Sequence, residues 1–408
     1  MLPKDFFKQF EAEYEIYRSQ HAKGLIKFEL PFDKPGYDTS LKGRKVVSFA
    51  SNDYLSMLGR PEIAKAAKDA VDRYGTGAGS SMLGSGSLAI HRALSEELAD
   101  FLGKESVVLF PTGYSAMMGF AAAHVMNGAS VYSDAANHRS IIDGLKLGEG
   151  FLQDFSVTFV QHNALKSLES KHRKRLESQA NYHLLYLEGV YSMKGDQGDL
   201  KTYLPYCKEH GLMTAIDDAH GIGVLGKNGR GTASEQQAES DVDFILGTFS
   251  KTFATTGGFV AGSKEALDYL RLLCGVYMFS ASIVPANVQT ARAVLEIVRK
   301  DDGPRQKLWS NIARLKKGLS QLGFDYGQSD SAIVPVYIRD TEKTLVLAHR
   351  LLESGFYVVA AIPPGVGEGE QLLRVSVNAG HTDEQIDRFL STLEDHAKTL
   401  GQAGKEAS

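Results

Sequence analysis

The sequence predicts an α/β protein: a mainly parallel seven-stranded sheet sandwiched by helices, followed by a smaller C-terminal α+β domain. Three observations predict it. Between Ser106 and Ala261, short apolar runs alternate with helical patterns, the reading expected of parallel strands covered on both faces. Beyond Asn287 the pattern changes to a long helix and then scattered strands and helices. The length, 408 residues, exceeds what one small core organises. The expected division is an N-terminal helix and arm (1–45), a large domain (46–285), a small domain (286–400) and a polar tail (401–408).

The elements follow in order. Phe6, Phe7, Phe10, Tyr14 and Tyr17 recur at helical spacing, which predicts a helix packed on this protein or on a partner subunit, with membrane-surface contact as the lesser alternative. Ile63–Tyr74 is helical, and Gly75–Ser81 is glycine-rich. That segment follows a helix rather than a strand, so it reads as a tight turn and not as a dinucleotide loop. Strands are predicted at Ser106–Phe110, Ser130–Ser133, Thr158–Gln161, His183–Glu188, Met213–Asp217, Phe244–Gly247 and Gly258–Ala261, with helices at Ile90–Leu102, Ile141–Leu147 and Leu200–His210 between them. In the last part come a helix Asn287–Lys300, a strand Ala332–Ile338, a helix Thr341–Ser354, an extended run Phe356–Ala361, a strand Leu372–Asn378 and a helix Thr382–Thr399.

Composition narrows the function class. Apolar residues make up 43% and charged residues 23%, ordinary for a globular chain, and the net charge of -4 gives no global support to nucleic-acid binding. The two cysteines, Cys207 and Cys274, exclude a disulfide scaffold and predict free thiols. The N-terminus lacks the apolar core of a secretion signal, and no run approaches the roughly 18 apolar residues of a membrane span. A cytoplasmic location is expected, with membrane-surface association left open. No metal site is expected.

The chemistry concentrates in two segments. In Gly247-Thr248-Phe249-Ser250-Lys251 a lysine follows two hydroxyl residues. In Asp217-Asp218-Ala219-His220 an acid ends an apolar strand and a histidine sits three residues on. A lysine amine can bond an aldehyde, hydroxyls can bind a phosphate, and a carboxylate can hold a proton on a ring nitrogen. A cofactor needing all three is pyridoxal 5'-phosphate. Thr112-Gly113-Tyr114 joins a strand to a helix, where backbone amides can take an anion. Asp217, Glu188 and Lys251 all fall at or just after strand ends, where sites form in such sheets.

With these residues in place the chain resembles the α-oxoamine synthases, of the fold-type I pyridoxal-phosphate transferases. The likeness rests on Ser51–Leu55, Thr112–Tyr114, His138, Glu188–Met193, Asp217–His220, Gly223–Gly226, Gly229–Gly231, Gly247–Lys251 and Leu373–Ser376, and covers about Lys45 to Asp395. Gly247–Ala254, Val276–Pro285 and Ile333–Thr344 resemble the bacterial serine palmitoyltransferase branch. The resemblance implies an acyltransferase that condenses an L-amino acid, serine favoured, with a long-chain acyl thioester, releasing carbon dioxide and a thiol, in sphingolipid biosynthesis. It implies Lys251 as the cofactor-bonded base, His138 stacked on the ring and near the substrate carboxylate, Asp217 on the ring nitrogen, and His220 and Ser192 on the ring hydroxyl. Gly113, Tyr114, Thr248 and Ser250 would hold the phosphate, joined by Ser280 from a second subunit of a homodimer. Asn52 and Arg374 would bind the substrate carboxylate.

Alternatives within the family are 8-amino-7-oxononanoate synthase, glycine C-acetyltransferase and a synthase fed by an acyl-carrier protein; a non-catalytic regulatory subunit is a remote one. Three positions depart from the family pattern: Met82 stands where arginine is common, Met117 where asparagine is common, and Ser56 in place of a glycine. Met82 removes a charge near the expected substrate region.

Overall fold

The computed structural model describes residues 11–26, 29–150, 157–175 and 180–401. Two short strands, β1 (Asp38–Leu41) and β2 (Arg44–Ser48), form an antiparallel hairpin ahead of the central sheet. The sheet comprises β3 (Ser106–Phe110), β4 (Ala129–Asp134), β5 (Val157–Val160), β6 (Tyr182–Glu188), β7 (Leu212–Asp217), β8 (Phe244–Thr248) and β9 (Gly258–Gly262). Their order across it is β3-β9-β8-β7-β6-β4-β5. The seven predicted strands all form, with ends displaced by about a residue. The β4, β5, β6, β7 and β8 neighbours pair in parallel, while β9 is antiparallel to both β3 and β8. Only residues 249–257 join β8 to β9, fewer than the dozen or so that a parallel crossover requires, so the chain must turn straight back.

Alternation along the strands explains the two-sided core. In β3, Val107 and Leu109 join one buried cluster, which includes Phe249, Phe253 and Phe259. Val108 and Phe110 join the other, with Phe120 and Phe244. Helix Gly113–Met126 is apolar nearly all round and packs within the second cluster.

The C-terminal part carries β10 (Ile333–Tyr337), β11 (Phe356–Tyr357), β12 (Val359–Ala361) and β13 (Leu372–Ser376). The extended run expected at Phe356–Ala361 is divided. Phe356–Tyr357 extends the N-terminal hairpin by pairing in parallel with β2, whereas Val359–Ala361 pairs antiparallel with β13 in the sheet β10-β13-β12. Val358, itself buried, is where the backbone changes partner. The N-terminal hairpin and the C-terminal part are therefore bonded to each other.

Unforeseen elements include the β1–β2 hairpin and the helices Leu165–Arg173, Lys264–Leu273 and Gly303–Gln321, although Leu308, Ile312, Leu315 and Leu319 of the last are buried at helical spacing. Near the N-terminus the described helix is Glu11–Ala22; Phe6, Phe7 and Phe10 lie outside the described residues. Among the described residues no helix is long and apolar enough to cross a membrane. Cys207 and Cys274 are free and buried.

Candidate active site

Parallel register builds the first wall. Glu188 and Asp217 end neighbouring strands and are paired in register, so two acids lie side by side at the carboxyl edge of the sheet. Both are buried. Burial raises the affinity of each for a proton: Glu188 is pushed well above the usual carboxylate range by desolvation and by the Asp217 charge, and Asp217 is raised by desolvation against the pull of Lys251 and His138. One Glu188 carboxylate oxygen, Oε1, has no hydrogen-bond partner. The Asp217 Oδ1 accepts from the Ala219 N–H at 3.0 Å. Lys251 stands just past β8, and burial pushes its amine down to about 8, opposed by Asp217 and Glu188. His138 caps the helix Arg139–Glu149, its Nδ1 2.7 Å from the Ser140 hydroxyl. His138 is exposed as a residue, yet desolvation lowers its pKa, with Asp217 opposing and Lys251 reinforcing. Lys251, Asp217, Glu188 and His138 therefore share one electrostatic environment.

The second feature is a cradle of donors. Thr112 caps the helix Gly113–Met126, its hydroxyl accepting from the Ser115 N–H at 3.0 Å. Gly113, the first helical residue, sits directly on Thr248: a Cβ there would come within 2.5 Å of the Thr248 Oγ1. A Cβ on Gly258 would likewise come within 2.6 Å of the Gly113 Cα. Only glycine admits this approach, which sets the helix N-terminus beside the Thr248 and Ser250 hydroxyls, themselves 2.9 Å apart. Tyr114 is partly exposed, donates its hydroxyl to Asp143, and lies edge-on to His138 at 6.5 Å.

A third group comes from distant segments. Arg374, on β13 and 6% exposed, donates its Nε to the Ser192 carbonyl at 2.5 Å and its Nη1 to the Ser376 hydroxyl at 2.8 Å. Both its Nη atoms reach the Asn52 Oδ1 at 3.3 Å. Tyr54, fully buried, places its hydroxyl 2.7 Å from the His220 Nδ1 and 3.2 Å from the Asn52 Oδ1. Desolvation raises this phenol to about 12, so it stays protonated. Desolvation and the nearby cations Lys251 and Arg374 keep His220 neutral, well below its usual pKa. Of the residues singled out in the sequence, the structure thus gathers Lys251, Asp217, His138 and His220 by their mutual electrostatics. It gathers Gly113, Thr248 and Ser250 by contact, and Asn52, Ser192 and Arg374 by hydrogen bonds. Ser280 lies apart from these contacts, next to Phe279, which is 85% exposed.

The family departures have local readings. Met117 is buried in the second core cluster, where an asparagine amide would need partners. Met82 packs against that cluster and lines a cavity of about 320 Å³ together with Arg271 and Tyr277. Ser56 has φ 57°, a conformation costing a non-glycine residue about 1–2 kcal/mol. Its hydroxyl accepts from the Gly380 N–H at 2.8 Å, which offsets part of that cost.

Residues 44–393 match the aminotransferase class I and II family. Serine palmitoyltransferase of Bacteriovorax stolpii is 38% identical over 360 residues, 88% of this chain and 84% of that one. The 8-amino-7-oxononanoate synthase of Geobacter sulfurreducens is 37% identical over 88% of this chain and 91% of its own. The chain belongs to the class I and II aminotransferase family, as an α-oxoamine synthase. Among solved structures, serine palmitoyltransferase of Sphingomonas wittichii superimposes with a TM-score of 0.91 at 34% identity, covering 98% of this chain and 100% of that one. A serine palmitoyltransferase structure carrying pyridoxal phosphate superimposes equally well, at 32% identity and the same coverage. The α-oxoamine synthase is thus an acyltransferase within a pyridoxal-phosphate family, with the seven-stranded fold expected of it.

Sequence reasoning gave no role to Glu188, Tyr54 or Ser376. An acid closing the apolar run His183–Leu187 was a usable signal for Glu188. Nothing local marks Tyr54 as the partner of His220, 166 residues away.

Proposed function

We propose that this synthase condenses an L-amino acid, serine favoured, with a long-chain acyl thioester, releasing carbon dioxide and a free thiol and leaving an α-amino ketone. The observation that carries the serine reading is the whole-chain superposition on serine palmitoyltransferases, with 98% of this chain covered.

The residues fit pyridoxal 5'-phosphate. An amine of depressed pKa, a buried carboxylate, an imidazole, two hydroxyls and a helix N-terminus converge, and the cradle at Gly113 is one that a Cβ would fill. When bound, the cofactor supplies an aldehyde to take the amino nitrogen and a ring that accepts electron density from the α-carbon. Asp217 would hold the ring nitrogen, and a cation beside that carboxylate would lower its raised pKa and keep it ionised. The N–H groups at the start of the Gly113 helix and the Thr248 and Ser250 hydroxyls take the phosphate. His138 would cover the ring face and reach toward the substrate carboxylate, and Ser192 and His220 would hold the ring hydroxyl, His220 being oriented by the Tyr54 hydroxyl. The Lys251 Nζ takes the proton from the substrate α-carbon and later returns it. An amine near pH 8 suits both directions. Arg374, its Nε held by the Ser192 carbonyl, turns its fork to the substrate carboxylate beside Asn52. Ser280 contributes from a second copy. The exposed apolar side chains Phe279, Tyr269 and Leu272 suit such a homodimer, and light scattering of the purified protein would test it.

The deciding experiment is a panel of amino acids against thioesters of varied chain length, read by thiol release. Serine with a long-chain acyl-CoA is expected to be fastest; no thiol release with serine and any thioester sinks the reading. The neutral Met82 and the similarity to 8-amino-7-oxononanoate synthase favour a second reading, with another amino acid or a carrier-protein thioester as substrate, which the same panel separates.

A further inference from the structure

His162 lies outside every group described above, yet it joins two of them. It follows β5, and its two ring nitrogens meet two different carboxylates: Nδ1 is 3.1 Å from the Asp134 Oδ1 and Nε2 is 2.7 Å from the Asp196 Oδ2. Two acceptors, one at each nitrogen, require both nitrogens to donate, which only the imidazolium does. Asp134 ends β4 and begins the turn to His138. It is fully buried, its Oδ1 also accepts from the Ala136 N–H at 2.8 Å, and its carbonyl accepts from the Asn137 N–H at 3.1 Å. Asp196 belongs to the loop that follows β6, in which its carbonyl accepts from the Tyr191 N–H at 2.9 Å. That loop carries Ser192, whose carbonyl holds Arg374. The neighbouring Asn163 reinforces the bridge, donating its N–H to the Asp134 Oδ2 at 3.0 Å and its amide to the Gln197 carbonyl at 2.9 Å. The Tyr191 ring packs edge-on against the imidazole at 4.4 Å.

We propose that His162 is a positioning residue: as a doubly hydrogen-bonded cation between Asp134 and Asp196, it fixes the turn bearing His138 relative to the loop bearing Ser192 and the carbonyl that anchors Arg374. It rests on the reading of His138 and Arg374 as cofactor and substrate ligands given above. The charged and titratable groups facing the ring are Asp134, Asp196 and the Tyr191 phenol, with the Lys194–Glu370 ion pair (2.8 Å) beyond Asp196. Partial burial works against the charge on His162, but the hydrogen bonds and charges of the two carboxylates outweigh it and raise its pKa to about 9. The folded-state value lies above the unfolded one. The bridge's contribution is therefore complete below about pH 6.5 and is lost as pH rises through about 9.

The test uses the cofactor-loaded protein with His162→Ala and His162→Arg, the latter keeping a permanent charge and two donors. In His162→Ala, kcat/KM for the amino acid is expected to fall about tenfold or more at pH 7.5, as a small misplacement of ligands does, with KM for the acyl thioester unchanged. His162→Arg is expected to restore most of it and to retain activity between pH 9 and 10, where the parent protein loses it. Two readouts are independent of turnover. The His162 imidazole should titrate near 9 by NMR, and the His138 imidazole resonance should move in His162→Ala and return in His162→Arg. Unchanged kcat/KM together with an unmoved His138 resonance overturns the proposal, as does a His162 titration near 6.5. Should His162→Ala fail to fold, Asp196→Asn replaces it; that variant is expected to lower the His162 titration and bring the alkaline loss to lower pH, and an unchanged profile overturns the proposal. If no amino acid and thioester react at all, the reading of function has failed, while the two NMR readouts still decide the bridge.

Discussion

The two walls of the site are made in different ways. On one side Glu188, Asp217 and Lys251 stand at the ends of β6, β7 and β8, where parallel pairing sets their spacing and two buried faces hold the strands still. On the other side Asn52 and Tyr54 come from the segment that follows β2, and Arg374 comes from β13. They meet through hydrogen bonds between distant segments, such as that from Arg374 to Asn52 across 322 residues and that from the Ala379 N–H to the Tyr54 carbonyl. Burial shifts protonation in both groups, but the first wall has few hydrogen-bond partners and the second is dense with hydrogen bonds. In the proposed function, proton chemistry would fall to the sheet wall and substrate recognition to a junction of segments that could adapt to different substrates. If that division holds, substitutions in the first wall should act on kcat and those in the second on KM.

The sharpest break is Lys251→Ala, expected to lower kcat by about 10⁴-fold or more, since both the proposed covalent anchor and the proposed base are lost. Single-turnover measurement of thiol release checks it. Asp217→Asn should retain the cofactor, as judged by absorbance, yet lose about 10²–10³-fold in kcat, because a neutral amide does not keep the ring nitrogen protonated. In the second wall, Arg374→Ala should raise the KM for the amino acid by about 10- to 100-fold, the worth of a charge-assisted hydrogen-bond pair, with a smaller change in kcat. Equal effects on kcat and KM would erase the contrast between the walls. Gly113→Ala should weaken cofactor binding about tenfold, because the new methyl collides with Thr248 and pushes the helix N-terminus off the cradle. Equilibrium dialysis reads that change. Finally, in cofactor-free protein, the rate at which Lys251 reacts with an amine reagent should rise with pH and reach half its maximum near pH 8. A midpoint at the ordinary lysine value would show that burial does not depress this amine.

Much of this was legible in the sequence where the signal is local. Met213–Ile216 is apolar and Asp217 is not, so a strand end with an acid on it can be read directly, and Lys251 is marked by the hydroxyls before it. The division of Phe356–Ala361 between two sheets was not legible. Both halves have the same extended pattern, and only the open edges of β2 and β13 assign each half its partner. The antiparallel β9 was hidden for a related reason: its residues read like those of the parallel strands, and direction is set by the length of the connection.

By itself, the sequence determined the alternation of strands and helices, the strand-end acids and the lysine that follows β8, because periodicity and residue type act over a few neighbouring positions. The tertiary structure alone decided that Glu188 shares Asp217's environment, that Tyr54 orients His220, and that His162 spans Asp134 and Asp196. Those contacts join segments up to 166 residues apart, and they exist only once sheet register and loop closure have brought the segments together.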